Sequence, residues 1–184
     1  MKDLLRKFSF MATVMAIMMT GFTFAACSSD DDDSGNGDYG ELEDVGLFVV
    51  NDKYECTDLN YGYWYRNANG TICLEFLNFN ATSLSNIPKN IHAVAIELPI
   101  KELAEGVYTC DFDFDANANS EGGCSLFSHN ITVTIEKKNN IWLVSVYGID
   151  GIYQTYDPDT YSKNESFAFI YSGNIEYNKL FEEE

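Results

Sequence analysis

Ile131-Thr132-Val133-Thr134-Ile135-Glu136-Lys137-Lys138-Asn139-Asn140-Ile141-Trp142-Leu143-Val144-Ser145-Val146-Tyr147 is the stretch that decides the fold class. Ile131, Val133 and Ile135 alternate with Thr132, Thr134 and Glu136. A two-residue period puts one set on each face of a strand. Asn139-Asn140 stands where the alternation stops. Asn tolerates positive φ, so this pair predicts a tight turn. Ile141 to Tyr147 then returns as the partner strand, and the unit reads as an antiparallel hairpin.

The same reading extends in both directions. Gly46-Leu47-Phe48-Val49-Val50 suits a first strand, and Tyr61 to Arg66 is an aromatic strand closed by the turn signal Asn67-Ala68-Asn69-Gly70. Thr71 to Asn80 carries Ile72, Leu74 and Phe76 on one face, and Val94, Ile96 and Leu98 alternate with Ala93, Ala95 and Glu97. Gly106-Val107-Tyr108 starts a strand that runs into Phe112 and Phe114. Ser166 to Tyr177 closes the series, with Phe167, Phe169 and Tyr171 on one side. Only Lys101-Glu102-Leu103-Ala104-Glu105 reads as a helical turn, and Ser83 to Asn90 reads as a loop or short helix. No stretch is long enough for repeated βαβ units. The expectation is an all-β domain of seven to nine strands, either an antiparallel β-sandwich or a small β-barrel. Composition agrees: 13 Phe and 12 Tyr against 3 Pro favour the pleated surface of a sheet.

The N-terminus reads differently. Lys2, Arg6 and Lys7 precede an uncharged run from Phe8 to Ala26, the n-region and h-region of a secretory signal. The 19 uncharged residues just reach spanning length, so a transmembrane helix is the rival reading. The boundary Phe24-Ala25-Ala26-Cys27 favours the signal, because a signal peptidase takes small side chains before its cut. Next come Ser28, Ser29 and the acidic run Asp30, Asp31, Asp32 and Asp33, then a Ser-, Gly- and acid-rich stretch without apolar period. The expected layout is a signal peptide over 1–26, a tether over 27–44, one β domain over 45–180 and an acidic tail over 181–184.

Ala25-Ala26-Cys27 resembles the lipobox of bacterial lipoproteins, with Phe24 where that family usually has Leu. The resemblance implies a diacylglyceryl thioether on Cys27 and an acylated new amino terminus. More than one chain anchors stably, whereas one alone is marginal. Cysteine followed at once by Ser and Asp resembles the export signal of Bacteroidetes surface lipoproteins. That likeness implies an outer-membrane protein facing the cell exterior. The plainer reading is a solvated, self-repelling spacer, and both can hold. Over 45–180 the likeness to small Bacteroidales lipoproteins is one of general style only.

Charge narrows the partners. The chain carries −18, the leader a net +2, and the remainder therefore −20. Such a surface repels phosphate backbones, which argues against nucleic acid. Beyond Cys27 there remain Cys56, Cys73, Cys110 and Cys124. In an oxidising compartment these pair, and closing the loop between Cys110 and Cys124 is the favoured choice, with Cys56 to Cys73 following. The alternative is buried thiols. A zinc centre is not expected, because no close Cys pair exists and His92 and His129 stand alone in the sequence. Asp111, Asp113 and Asp115 place oxygen ligands at every second residue, as in the opening of a calcium loop. The later positions lack the required Gly and Glu, so a strand with Phe112 and Phe114 inward is the plainer account.

Tyr61, Tyr63 and Tyr65 share one strand face, with Trp64 on the other. Exposed, they form a stacking platform for sugar rings; buried, they are core and cross-strand pairs. Tyr147, Tyr153, Tyr156 and Tyr161 pose the same question. No nucleophile elbow, metalloprotease helix or phosphate loop is present, and Ser125 and Ser128 near His129 do not make a triad. The expected function is a tethered, non-enzymatic β domain that binds a glycan or an outer-membrane partner protein, with no cofactor. A structural or accessory subunit of a surface assembly is the alternative, and a small hydrolase the third.

Overall fold

The computed structural model describes residues 44–81, 87–117, 122–156 and 159–182. Its strands are β1 Val45–Val50, β2 Tyr54–Cys56, β3 Tyr61–Arg66, β4 Ile72–Leu77, β5 His92–Leu98, β6 Gly106–Ala116, β7 Cys124–Lys138, β8 Ile141–Tyr156, β9 Asp159–Gly173 and β10 Ile175–Tyr177. A short 3₁₀ turn, Lys179–Phe181, follows. The strands form one sheet in the order β10-β3-β4-β5-β6-β7-β8-β9-β1-β2. Every ladder is antiparallel except β10 with β3.

The hairpin of β7 and β8 lies among the central strands of this sheet. Lys138 pairs with Ile141, and Asn139 and Asn140 both take positive φ, 49° and 68°. Two left-handed residues give the primed turn whose twist matches a hairpin. The strands run further than the alternation suggests, to 15 and 16 residues. Among the described residues the count is ten rather than seven to nine. β2 has three residues, too few to show a period, and the closing stretch Ser166 to Tyr177 divides at Asn174 between β9 and β10. Lys101 to Glu105 is not helical; it belongs to the irregular link between β5 and β6. Part of Ser83 to Asn90 lies outside the described residues.

One sheet replaces the sandwich alternative, and it curls. Phe48 of β1 stacks on Phe114 of β6 with centroids 3.9 Å apart, and Phe76 of β4 meets Tyr171 of β9 at 4.6 Å. On a flat sheet these strands would lie roughly 19 and 24 Å apart. Curling brings the same face inward from both halves and makes a half-barrel around one aromatic core. Phe48, Phe76, Phe112, Phe114, Phe167 and Phe169 are fully buried there. Only Asn174 separates β9 from β10, although β10 lies at the far end of the strand order. That single residue carries the chain across to the other side of the curl, where β10 pairs with β3; the Tyr171 hydroxyl donates to its carbonyl at 2.7 Å, and its amide donates to Asp44 at 2.8 Å. Gly62 is required beside this join, because a Cβ there would press on the Asn174 oxygen and the Tyr171 ring.

The outer face has a second, smaller cluster. Tyr63, Leu77 and Ala81 are buried there, with Phe79, Ala93 and Phe181 against them. Phe181, assigned to the tail by sequence, therefore packs on the domain.

Candidate functional site

The outer face of β3 to β7 holds a groove. Alternation places Tyr65, Cys73, Ala95, Glu97, Asp111, Asp113 and Phe127 outward. The ladders then set Tyr65 opposite Cys73, Cys73 opposite Glu97, and Glu97 opposite Asp111. The next row sets Ala95 opposite Asp113 and Asp113 opposite Phe127. Ala93 and Ala95 are the short side chains of β5, so the centre of the face is low while its flanks stand up. The resulting hollow has a volume of about 540 Å³, with Asn67, Ala68 and Asn69 at its rim. A bulge deepens the local twist: the register shifts between Cys110 and Phe112, and Asn130 opposite takes φ 54°.

The polar groups of the groove are held in place. Glu97 accepts from Asn67 and Asn69 at 3.3 Å each and from the Thr71 hydroxyl at 3.1 Å. Asp111 pairs with His129 at 2.9 Å and accepts from the Asn130 amide at 3.2 Å. Slight burial works against its charge, but these hydrogen bonds outweigh it and hold the carboxyl below its usual range. Asp113 behaves oppositely. Burial, with the negative charge of Asp115 adding, pushes it up to about 6. Burial raises Asp115 and Glu75 as well, against a hydrogen bond from Tyr65 to Glu75. Tyr65 and Phe127 are half-buried rings on the first and last strand of the groove.

Cys27, Ser28, Ser29 and Asp30 to Asp33 lie outside the described residues. Tyr61, Tyr63 and Tyr65 do share the outer face of β3, but they form no three-ring platform. Tyr63 is only 5% exposed and belongs to the smaller core, and Tyr65 leans on Phe181 with centroids 5.6 Å apart. Of the second tyrosine set, Tyr153 is buried and Tyr161 is exposed. Asp111, Asp113 and Asp115 alternate along an extended strand, where second neighbours stand about 7 Å apart, so they do not converge into a calcium loop.

The favoured disulfides are also overturned, since all four cysteines are free and buried. Cys110 pairs in register with Ile131, whereas Cys124 pairs with Ala116. That places Cys124 at one end of the β6–β7 ladder and Cys110 near its middle, six residues or roughly 20 Å away along β6. Cys56 faces the inner core, while Cys73 lines the outer groove.

His92 and His129 do not stand alone in space. His129 meets Asp111 in the groove, and His92 meets Asp58 at 2.7 Å at the inner end of β5. The Cys56 thiol donates to the same Asp58 oxygen at 3.0 Å. Burial, strengthened by that hydrogen bond, pushes the Cys56 thiol up to about 12. Phe127, Glu97 and the Asn67-to-Asn69 rim were missed by sequence reasoning. Their signal was the pair of alanines on β5, which leaves room above the sheet.

Comparison with known proteins finds no matching family model, no similar curated protein and no similar solved structure.

Proposed function

We propose that this chain is a lipoprotein of the outer membrane, tethered at Cys27 and facing the cell exterior, whose β domain binds an extended glycan in the outer groove without catalysing a reaction. The observation that carries the binding reading is the groove itself: Tyr65 and Phe127 bracket a low floor whose walls are fixed hydrogen-bonding side chains. Apolar rings with a few well-placed polar groups are what ligand sites use. Rings supply faces for sugar C–H surfaces, and Asn67, Asn69, Glu97 and Asp111 supply hydroxyl partners. The leader and the acidic run support the location.

The test is a glycan array probed with the full chain, followed by titration of any hit. Phe127→Ala and Tyr65→Ala should each weaken binding about tenfold, the value of one stacked ring. Their circular dichroism should match wild type. Binding unaffected by both changes would remove the groove from consideration.

A second reading has one observation in its favour. Asp111 is held low and Asp113 is pushed up to about 6 in the same groove. Carboxyls driven apart in this way serve as base and acid in glycosidases. Release of reducing ends from a bound glycan, lost in Asp113→Asn, would select hydrolysis over simple binding. The remaining alternative, a structural subunit of a surface assembly, draws no support from the edges of the sheet. β2 and β10 are three residues long, and short edges discourage strand addition.

A further inference from the structure

We propose that Cys56, Asp58 and His92 form a binding site for one divalent transition-metal ion of the zinc class, with an open coordination position. The site lies on the inner side of the sheet, apart from the outer groove, and rests on its own geometry.

Three donors of different kinds converge there: a thiol sulfur, a carboxylate oxygen and an imidazole nitrogen. All lie within 4.8 Å of one another, and they are the described residues that meet this condition as a group of three. The Cys56 sulfur is 3.0 Å from Asp58 Oδ1, and His92 Nδ1 is 2.7 Å from the same oxygen. Metal bonds of about 2.0 to 2.3 Å in a tetrahedron set donors roughly 3.3 to 3.8 Å apart. The Asp58 oxygen therefore has to draw back from each of the other two donors by about half an ångström. Asp58 can supply this movement, because its side chain is 48% exposed while Cys56 is 3% exposed.

The donor set also selects the ion. Thiolate with imidazole favours zinc, cobalt, nickel or copper over the hard cations calcium and magnesium. The backbone pre-forms the site. Cys56 is fixed in β2 opposite Phe48, and the fully buried Leu59 pins the loop just beyond Asp58. An outer shell is present too. Tyr54 Oη lies 3.4 Å from His92 Nε2, and the Asn78 side chain accepts from the His92 amide at 3.0 Å. Ligating histidines commonly hold their second nitrogen in this way.

The proton balance is simple. Without metal, the thiol proton and the imidazole Nδ1 proton both point at Asp58. On binding, Cys56 gives one proton to solvent and becomes thiolate. The imidazole stays neutral and carries its proton on Nε2, toward Tyr54. The site changes from −1 to neutral, and the exposed side of Asp58 leaves room for a water or an incoming ligand as the fourth donor.

The test uses the full chain, reduced, stripped of metal and titrated with Co²⁺. One equivalent should produce a thiolate-to-cobalt charge-transfer band with the visible bands of a four-coordinate ion. Zn²⁺ should displace them. Cys56→Ser should abolish the charge-transfer band, and His92→Gln, which removes a ligand, should weaken affinity by more than Tyr54→Phe does. Tyr54→Phe should cost about tenfold. Cys73→Ser, on the other face, should leave the cobalt spectrum and affinity as in wild type. Circular dichroism checks that each variant is folded. If Cys56→Ser fails to fold, the imidazole nitrogen shifts of wild type on Zn²⁺ addition decide the matter. A folded wild type that shows neither a thiolate band nor an imidazole shift would overturn the proposal, as would a band that survives in folded Cys56→Ser.

Discussion

Tyr63 has one hydroxyl and two uses for it: it accepts from the Ala81 amide at 3.0 Å and donates to Asn80 at 3.2 Å. Its ring sits edge-on to Phe181, with centroids 6.1 Å apart. Tyr63→Ala therefore removes a buried ring and orphans a buried amide, and should cost about 3 kcal/mol of stability in urea unfolding. Tyr63→Phe keeps the ring and should cost about 1 kcal/mol. Asp113 makes the opposite prediction. Its carboxyl rises from an ordinary 3.8 to about 6 in the folded state. The folded form therefore holds its proton more tightly, and stability falls as pH rises through that window. Asp113→Asn removes this loss. After allowance for its partial exposure, the variant should gain about 1 kcal/mol over wild type at pH 7.5 and little at pH 3.5, read from thermal unfolding at both. Neither environment was legible in the sequence. Alternation marks Tyr63 and Asp113 as outward, but outward is not exposed where a 3₁₀ turn and taller neighbours stand over a row of alanines.

At the scale of elements, the turn of the β7–β8 hairpin and the strand halves beside it were legible because two signals agreed, a strict two-residue period and a pair of Asn at the reversal, while the far halves of both strands were not. Its turn gives a clean test. Asn140 holds φ 68°, a conformation that a β-branched side chain resists. Asn140→Val should cost about 1 to 2 kcal/mol, and Asn140→Gly should be close to neutral, by denaturant midpoints. Gly148 marks a place where sequence carried no signal. A Cβ there would run into the Phe167 ring of the neighbouring strand. Gly148→Ala should destabilise by about 1 to 3 kcal/mol, and Phe167→Leu in the same chain should recover part of the loss. The cysteine pairing was misread for a related reason. Cys110 and Cys124 are near in sequence, but a long hairpin separates residues that are not opposite in register. Mass spectrometry of the unreduced protein should find no Cys110–Cys124 link. The grouping of Cys56, Asp58 and His92 was equally invisible, because β2 and β5 meet only through the curl.

At the scale of the molecule, one curled sheet leaves a buried aromatic interior and a patterned exterior, and the proposed role depends on which way that exterior faces. The folded unit begins near Asp44, so the stretch from Cys27 onward would set its distance from the membrane. On the tether reading, the four successive aspartates would act by mutual charge repulsion. Repulsion alone does not carry a protein across the outer membrane, so spacer and export signal make different predictions. Cys27→Ser should abolish lipid labelling and leave an unprocessed precursor, because the thioether has no other place to form. Changing Asp30, Asp31, Asp32 and Asp33 together to Ala should keep the lipid label. If the run directs export, antibody staining of intact cells should then disappear, and protease added outside should no longer remove the domain. Replacing the same four residues by Glu separates charge from identity. A spacer needs only the charge, so unchanged staining in both the Ala and Glu variants would mean the run does not direct export. Loss in Ala with retention in Glu would mean the export step reads acidity, and loss in both would mean it reads aspartate itself.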